Sequence, residues 1–114
     1  MIKMTVLYPK STESQFDLNY YLQKHVPLVH KRLTPLGLVQ VDLEEGLAGA
    51  APNTPASYSL IGNLSFNSLE DLQNALAAHG EEILSDIANF TNVQPLMQIS
   101  QVVETMAQRA SATS

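Results

Sequence analysis

The chain has 114 residues, of which 45% are hydrophobic and 15% charged, a length and balance typical of one packed domain. With a net charge of −5 and only six Lys and Arg, it lacks a cationic surface for phosphates or anionic lipids, so we expect neither a nucleic-acid nor a membrane partner. It has no cysteine for thiolate chemistry, and it shows neither a membrane-spanning run nor a signal-peptide pattern, which predicts a cytoplasmic protein.

The first predicted elements are a strand and a helix that a proline interrupts. Apolar residues alternate over residues 2–8, which predicts the strand. Across residues 18–33 apolar side chains recur at three- and four-residue steps, which predicts an amphipathic helix capped by Asp17. Proline disfavours α geometry at the residue before it. We therefore expect the helix to kink or restart close to Val26, with Pro27 in the first turn of its second half.

The second half of the chain predicts two strands, a helix and a final strand. Residues 38–45 and 58–66 alternate as strands do, and the loop between them, rich in Gly, Pro and Ala, is a candidate flap over a site. Ser68 is placed to cap the following helix. The apolar stripe of that helix comprises Leu69, Leu72, Leu76, His79, Ile83 and Ile87. The last alternating segment covers about residues 91–104, which is longer than a usual strand.

This order of strand, helix, strand, strand, helix, strand predicts an α+β, ferredoxin-like β-α-β-β-α-β fold. Its four antiparallel strands would carry both helices on one face. We expect this domain over residues 1–104 and a flexible C-terminal tail over residues 105–114. A second copy would cover the other face in a homodimer, with the overlong last strand helping to bridge the two sheets. The apolar side chains predicted on that face are Leu7, Val41, Ile61 and Leu96.

Two histidines occupy the apolar stripes of the predicted helices, His25 in the first and His79 in the second. Burial keeps an imidazole neutral and able to accept a proton, and Tyr21 lies one helical turn before His25. The pattern indicates His25 as a catalytic base that Tyr21 orients, and His79 as a substrate-binding residue. In the alternative interpretation both are hydrogen-bonded core residues, and for His79 this is favoured because it adjoins Gly80. His30 lies five residues from His25, on another helix face, so we expect no metal site.

Three segments of the chain resemble the EthD family. They are FDLNYYLQKHVPLV at residues 16–29, EEGLAGAAP at residues 44–52 and DIANFTNVQPLMQIS at residues 86–100. The first is similar to the family's opening helix, with its two tyrosines and its histidine before a proline. The resemblance extends to about Val103 and implies the dimeric α+β barrel superfamily, whose members hold small hydrophobic or aromatic molecules in a cleft between sheet and helices.

By motif position, the resemblance implies pocket residues from the helix and from the turn before the last strand. These are Tyr20, Tyr21, His25, Asn89 and Phe90. Some relatives are oxygenases, isomerases or cyclases that need no cofactor, so one implied function is a cofactor-free enzyme of a degradation pathway. The name-giving EthD proteins accompany an ether-degrading oxygenase. A non-catalytic ligand carrier, accessory to a separate oxygenase, is therefore the alternative, and a purely structural dimer is a third.

Overall fold

The computed structural model describes residues 1–107, and its elements follow the predicted order. They are β1 (Ile2–Pro9), α1 (Leu18–Tyr20), a π-helical turn (Tyr21–His25), α2 (Val26–Leu33), a 3₁₀ turn (Thr34–Leu36), β2 (Leu38–Glu45), β3 (Tyr58–Phe66), α3 (Leu69–Asp86), a second 3₁₀ turn (Ile87–Asn89) and β4 (Leu96–Gln101). Of the predicted flexible tail, residues 108–114 lie outside the described residues. None of the helices in residues 1–107 combines the length and apolar character that a membrane crossing requires.

The four strands form one antiparallel sheet in the order β2-β3-β1-β4. Met4, Val6 and Tyr8 of the central strand β1 are buried against the helices, and they share one core with buried residues of α2 and α3. The most completely buried side chains of this core are Tyr8, Leu33, Leu60, Phe66 and Leu72. The predicted α+β, ferredoxin-like fold, a four-stranded antiparallel sheet with its helices on one face, is confirmed.

The outer face of the sheet carries fewer apolar side chains than the sequence predicts. Val41 pairs with Leu64 across β2 and β3, and residues directly opposite each other on neighbouring strands point to the same face. Because Leu64 belongs to the core, Val41 faces the helices, and its predicted place on the outer face is wrong. Leu7 pairs with both Ile61 and Leu96, so these three side chains form the apolar part of the outer face.

The last strand is shorter than the predicted segment of residues 91–104. Strand β4 covers only Leu96–Gln101, because Pro95, immediately before it, has no amide hydrogen to pair. Thr91 instead forms an isolated bridge with Phe16, and residues 102–107 have no regular structure. The predicted bounds of the last strand, residues 91–104, are therefore wrong.

The first helical region contains the interruption that Pro27 predicts. Asp17 caps α1, its Oδ1 accepting from the Tyr20 amide at 3.0 Å. The π-helical turn follows, and α2 restarts at Val26 with Pro27 in its first turn. Proline has no amide hydrogen, and its ring would meet the carbonyl four residues earlier, so the turn before it widens. This widened turn begins with Tyr21 and ends with His25, and both side chains are buried.

Candidate functional site

A cavity of about 590 Å³ lies between the helix-bearing face of the sheet and the helices. Its volume falls in the range of small-molecule sites. The walls are largely apolar and include Met4, Val6, Val29, Leu43, Leu64, Leu76, Ile83 and Ile87. Leu84 of α3 and Met97 of the edge strand β4 also line the cavity while remaining 50% and 42% exposed. The cavity therefore opens to solvent between α3 and β4.

The polar lining residues are the exposed Glu81 and Ser85 of α3 and the buried Tyr8, Tyr21 and His25. The last three carry the polar atoms of the interior. They are only 2%, 4% and 4% exposed. Among residues 1–107, neither phenol hydroxyl has a hydrogen-bond partner, and His25 is bonded through Nδ1 alone. None of these free polar atoms is sealed off without a partner, so each one meets the cavity. The two hydroxyls and His25 Nε2 are therefore available to a ligand.

Asp86, in the last turn of α3, holds His25 in place. The Oδ1 atom of Asp86 accepts from Tyr20 Oη at 2.6 Å and from Asn89 Nδ2 at 2.9 Å, and its Oδ2 lies 2.9 Å from His25 Nδ1. Because an ionised carboxylate only accepts hydrogen bonds, the proton of the neutral imidazole resides on Nδ1. The lone pair of Nε2 is then left for the cavity. A histidine held this way can act as a general base.

The surroundings keep both members of this pair in the protonation states that a base requires. Burial lowers the pKa of His25, against the opposing hydrogen bond and charge of Asp86, so the imidazole is neutral near pH 7. Burial alone would raise the pKa of Asp86, but the hydrogen bonds from Tyr20, Asn89 and His25 outweigh it, and the net shift is downward. Burial raises the pKa of Tyr21. Burial and the nearby Tyr21 phenol raise the pKa of Tyr8, so both phenols remain hydrogen-bond donors.

Aromatic packing fixes the plane of the His25 ring. The ring stacks on Tyr21 with centroids 5.5 Å apart and planes inclined by 22°. The ring of Phe90 also contacts His25, with the two centroids 4.7 Å apart, and Phe90 itself packs against Tyr8 and Phe16. An imidazole that packs against two rings and is hydrogen-bonded to a carboxylate has little freedom to rotate, so the direction of Nε2 is fixed.

Comparison with known proteins identifies the family. The family model described as the EthD domain matches residues 9–94. The chain belongs to the EthD family. An EthD-like protein from Ralstonia eutropha JMP134 is 38% identical, with 95% of this chain and 96% of that chain covered and a TM-score of 0.86. No match is found among curated proteins.

Two more distant structures share the fold. An EthD family protein from Bacillus halodurans C-125 is 20% identical over 89% of this chain and 97% of that chain, with a TM-score of 0.62. A dimeric ferredoxin-like protein from an uncultured marine organism is 12% identical over 95% of this chain and 100% of that chain, with a TM-score of 0.60. At these identities the likeness concerns the fold alone.

The residues assigned to the pocket by the EthD motifs form two layers. Tyr21 and His25 line the cavity itself. Tyr20 and Asn89 do not, since both donate to Asp86 behind His25. Phe90 is 3% exposed and supports the ring of His25 without lining the cavity. Tyr20, Asn89 and Phe90 therefore support His25 and Asp86 from behind and do not touch the cavity.

Two other predicted parts of the site lie away from the cavity. His79 does not line it: its side chain is 32% exposed, with Nδ1 4.0 Å from Glu82 Oε1. The predicted burial of His79 is wrong because the buried face of α3 passes through its neighbour Gly80. The loop of residues 46–57, expected to cover the site, contributes no lining residue either.

Sequence reasoning missed Asp86 and Tyr8. A signal existed for Asp86, because a carboxylate in the last turn of a helix faces the negative end of the helix dipole and needs compensating donors. For Tyr8, the alternation of β1 places the side chain on the buried face, where a phenol hydroxyl needs a partner or a polar cavity. The signal for Asp86 does not reveal that one of its donors is a histidine 61 residues earlier in the chain.

Proposed function

We propose that this EthD protein binds a small hydrophobic molecule in the cavity and removes a proton from it with His25 as general base, without a cofactor. The observation that carries the proposal is the state of His25. Its Nδ1 is held by Asp86 at 2.9 Å, while Nε2 faces an apolar cavity with no partner among the described residues. A histidine that merely fills a core has no need of an open cavity at its second nitrogen.

The phenols of Tyr8 and Tyr21 suggest which proton is removed. When a carbon next to a carbonyl loses its proton to His25 Nε2, the electron pair of the broken C–H bond moves onto the carbonyl oxygen. Two protonated phenols in an apolar lining can donate hydrogen bonds to that oxyanion. The ionised Asp86 stabilises the imidazolium that forms. An enolisable carbonyl compound with an apolar or aromatic body therefore fits the site.

Several reactions begin with such an enolate. Reprotonation at another carbon completes an isomerisation, attack on a second carbonyl group closes a ring, and reaction with dioxygen makes an oxygenase. The described side chains supply only the first proton transfer, which these reactions share. We therefore assign the proton transfer to this protein and leave the fate of the enolate to its substrate.

A non-catalytic carrier, accessory to a separate oxygenase, is the second candidate. The apolar lining and the open mouth at Leu84 and Met97 favour it, because binding and release of a hydrophobic ligand need only these features. The carrier hypothesis predicts stoichiometric binding without any chemical change in the ligand.

We also propose that two copies pair through the outer face of the sheet. Leu7, Ile61 and Leu96 lie there side by side, and Leu96 is 53% exposed. A partner sheet would cover these side chains without closing the cavity, which is on the opposite face. The dimeric ferredoxin-like protein with the same fold supports the formation of a dimer.

Hydrogen exchange of a carbonyl probe tests the catalytic proposal. 2-Tetralone, an aromatic ketone with acidic α-protons, would be incubated with the protein in D₂O and followed by proton NMR. We expect catalysed exchange that falls by about 10²–10⁴ in the His25→Ala variant. His79→Ala is the matched control, since it removes the histidine of the second helical stripe, which does not line the cavity. An exchange rate in His25→Ala equal to that of the wild type would refute His25 as the base. Binding of the ketone to the wild type without exchange would support the carrier hypothesis.

A further inference from the structure

Gly80 lies at a position in α3 where a glycine is unexpected. It is buried in the interior of an 18-residue helix and lines the cavity. Glycine costs roughly 1 kcal/mol there relative to alanine, because it loses more backbone entropy on folding. A buried helical glycine usually allows another chain segment to approach closely or adopts a backbone conformation that other residues avoid.

Neither reason applies to Gly80. A β-carbon at this position would meet no atom closer than Leu76 Cβ at 3.7 Å, which is ordinary van der Waals contact. The backbone of Gly80 is not in the left-handed region. Gly62, on the opposite wall of the cavity, differs because a β-carbon there would lie 3.1 Å from the Tyr21 hydroxyl. Alanine would therefore fit at position 80 at the expense only of cavity space.

We propose that Gly80 determines the size of ligand that the cavity accepts. Leu76 and Leu84 lie one turn to either side of it and line the same cavity, so Gly80 occupies the middle of the α3 wall. Without a side chain there, a flat ring can lie against the helix backbone between the two leucines. The proposal rests on ligand binding in the cavity, the first half of the proposed function, and does not require His25.

Two fluorescent probes of different length test this role, 2-naphthol with two fused rings and 1-hydroxypyrene with four. The variants are Gly80→Ala and Gly80→Leu, which fill the wall in two steps. Asn74→Ala is the matched control, since Asn74 is exposed on α3, does not line the cavity, and gains helix propensity in the same way. Each variant would be assayed for Kd by fluorescence titration and for Tm by circular dichroism.

We expect the wild type to bind both probes. Gly80→Ala should raise Tm by about 4 °C, because alanine has the higher helix propensity. It should raise the Kd of 1-hydroxypyrene at least tenfold and change the Kd of 2-naphthol less than twofold. Gly80→Leu should raise the Kd of both probes, and Asn74→Ala should change neither Kd. Equal Kd values for 1-hydroxypyrene in the wild type and in Gly80→Ala overturn the size role alone. A wild type that binds neither probe overturns ligand binding in the cavity, and the role of Gly80 with it.

Discussion

The Asp86→Asn variant changes the direction of the His25 base with almost no change in shape. Three donors converge on the carboxylate of Asp86, from Tyr20, His25 and Asn89. An amide has one acceptor oxygen and an NH₂ group that only donates. When that NH₂ faces His25 Nδ1, the imidazole must carry its proton on Nε2 instead. The atom that meets the cavity then becomes a donor and cannot act as a base.

The structure sets the size of the expected effects. Loss of a general base lowers the rate of probe exchange by about 10²–10⁴. A hydrogen bond to a charged group contributes about 1.5–3 kcal/mol. We expect Asp86→Asn to lower the free energy of unfolding by an amount at the lower end of that range, because the side chain of Asp86 is 15% exposed. The hydrogen bond and charge of Asp86 also raise the pKa of His25. In the variant that pKa therefore falls further.

Nitrogen-15 NMR of the imidazole distinguishes the two tautomers directly, and urea unfolding measures the loss of stability. The wild type should show the Nδ1–H form of His25 and Asp86→Asn the Nε2–H form. Glu82→Gln is the control, since it also neutralises a carboxylate of α3, but one in a half-exposed pair with Arg32. An Nδ1–H tautomer that persists in Asp86→Asn, with unchanged probe exchange, refutes the assigned role of the carboxylate.

Three further predictions concern stability and assembly. Burial lowers the pKa of His25 below 6.5 in the folded protein, so on acidification the unfolded chain takes up the proton first. The contribution of neutral His25 to stability is therefore complete above pH 6.5 and is lost as the pH falls toward the folded-state pKa. Urea unfolding at pH 7.5 and 5.5 should show that loss, and His25→Asn should show less of it; equal losses would contradict the linkage. Phe66 is 0% exposed, so Phe66→Ala should lower the free energy of unfolding by about 3–5 kcal/mol, and a loss below 1 kcal/mol by urea unfolding would contradict its place in the core. Ile61→Asp, which places a charge on the outer face, should yield a monomer by light scattering at micromolar concentration, whereas a dimer of wild-type stability would exclude this face as the interface.

Local patterns were sufficient to predict the order of the elements and the details of the first helix. The Asp17 and Ser68 caps are both present, and the helix restarts at Val26 because of Pro27. These features depend on residues a few positions apart, whose geometry follows from backbone sterics. The burial of His25 also follows from local periodicity.

Features that depend on pairing between distant segments could not be predicted. Alternation in β2 shows that Val41 and Asp42 face opposite sides, but the choice of side depends on the register with β3, which a 12-residue loop does not specify. The contact between His25 and Asp86 joins residues 61 positions apart. His79 illustrates the limit of periodicity itself, because a residue at the margin of a stripe can be half-exposed while its neighbour Gly80 is buried.

A crystal structure of the protein with 2-tetralone most directly tests the claim that the cavity is a binding site served by His25. We expect the ketone in the cavity, with its oxygen within hydrogen-bond distance of a Tyr8 or Tyr21 hydroxyl and an α-carbon facing His25 Nε2. A closed cavity with Nε2 bonded to the protein, or a ketone bound elsewhere, would contradict the account.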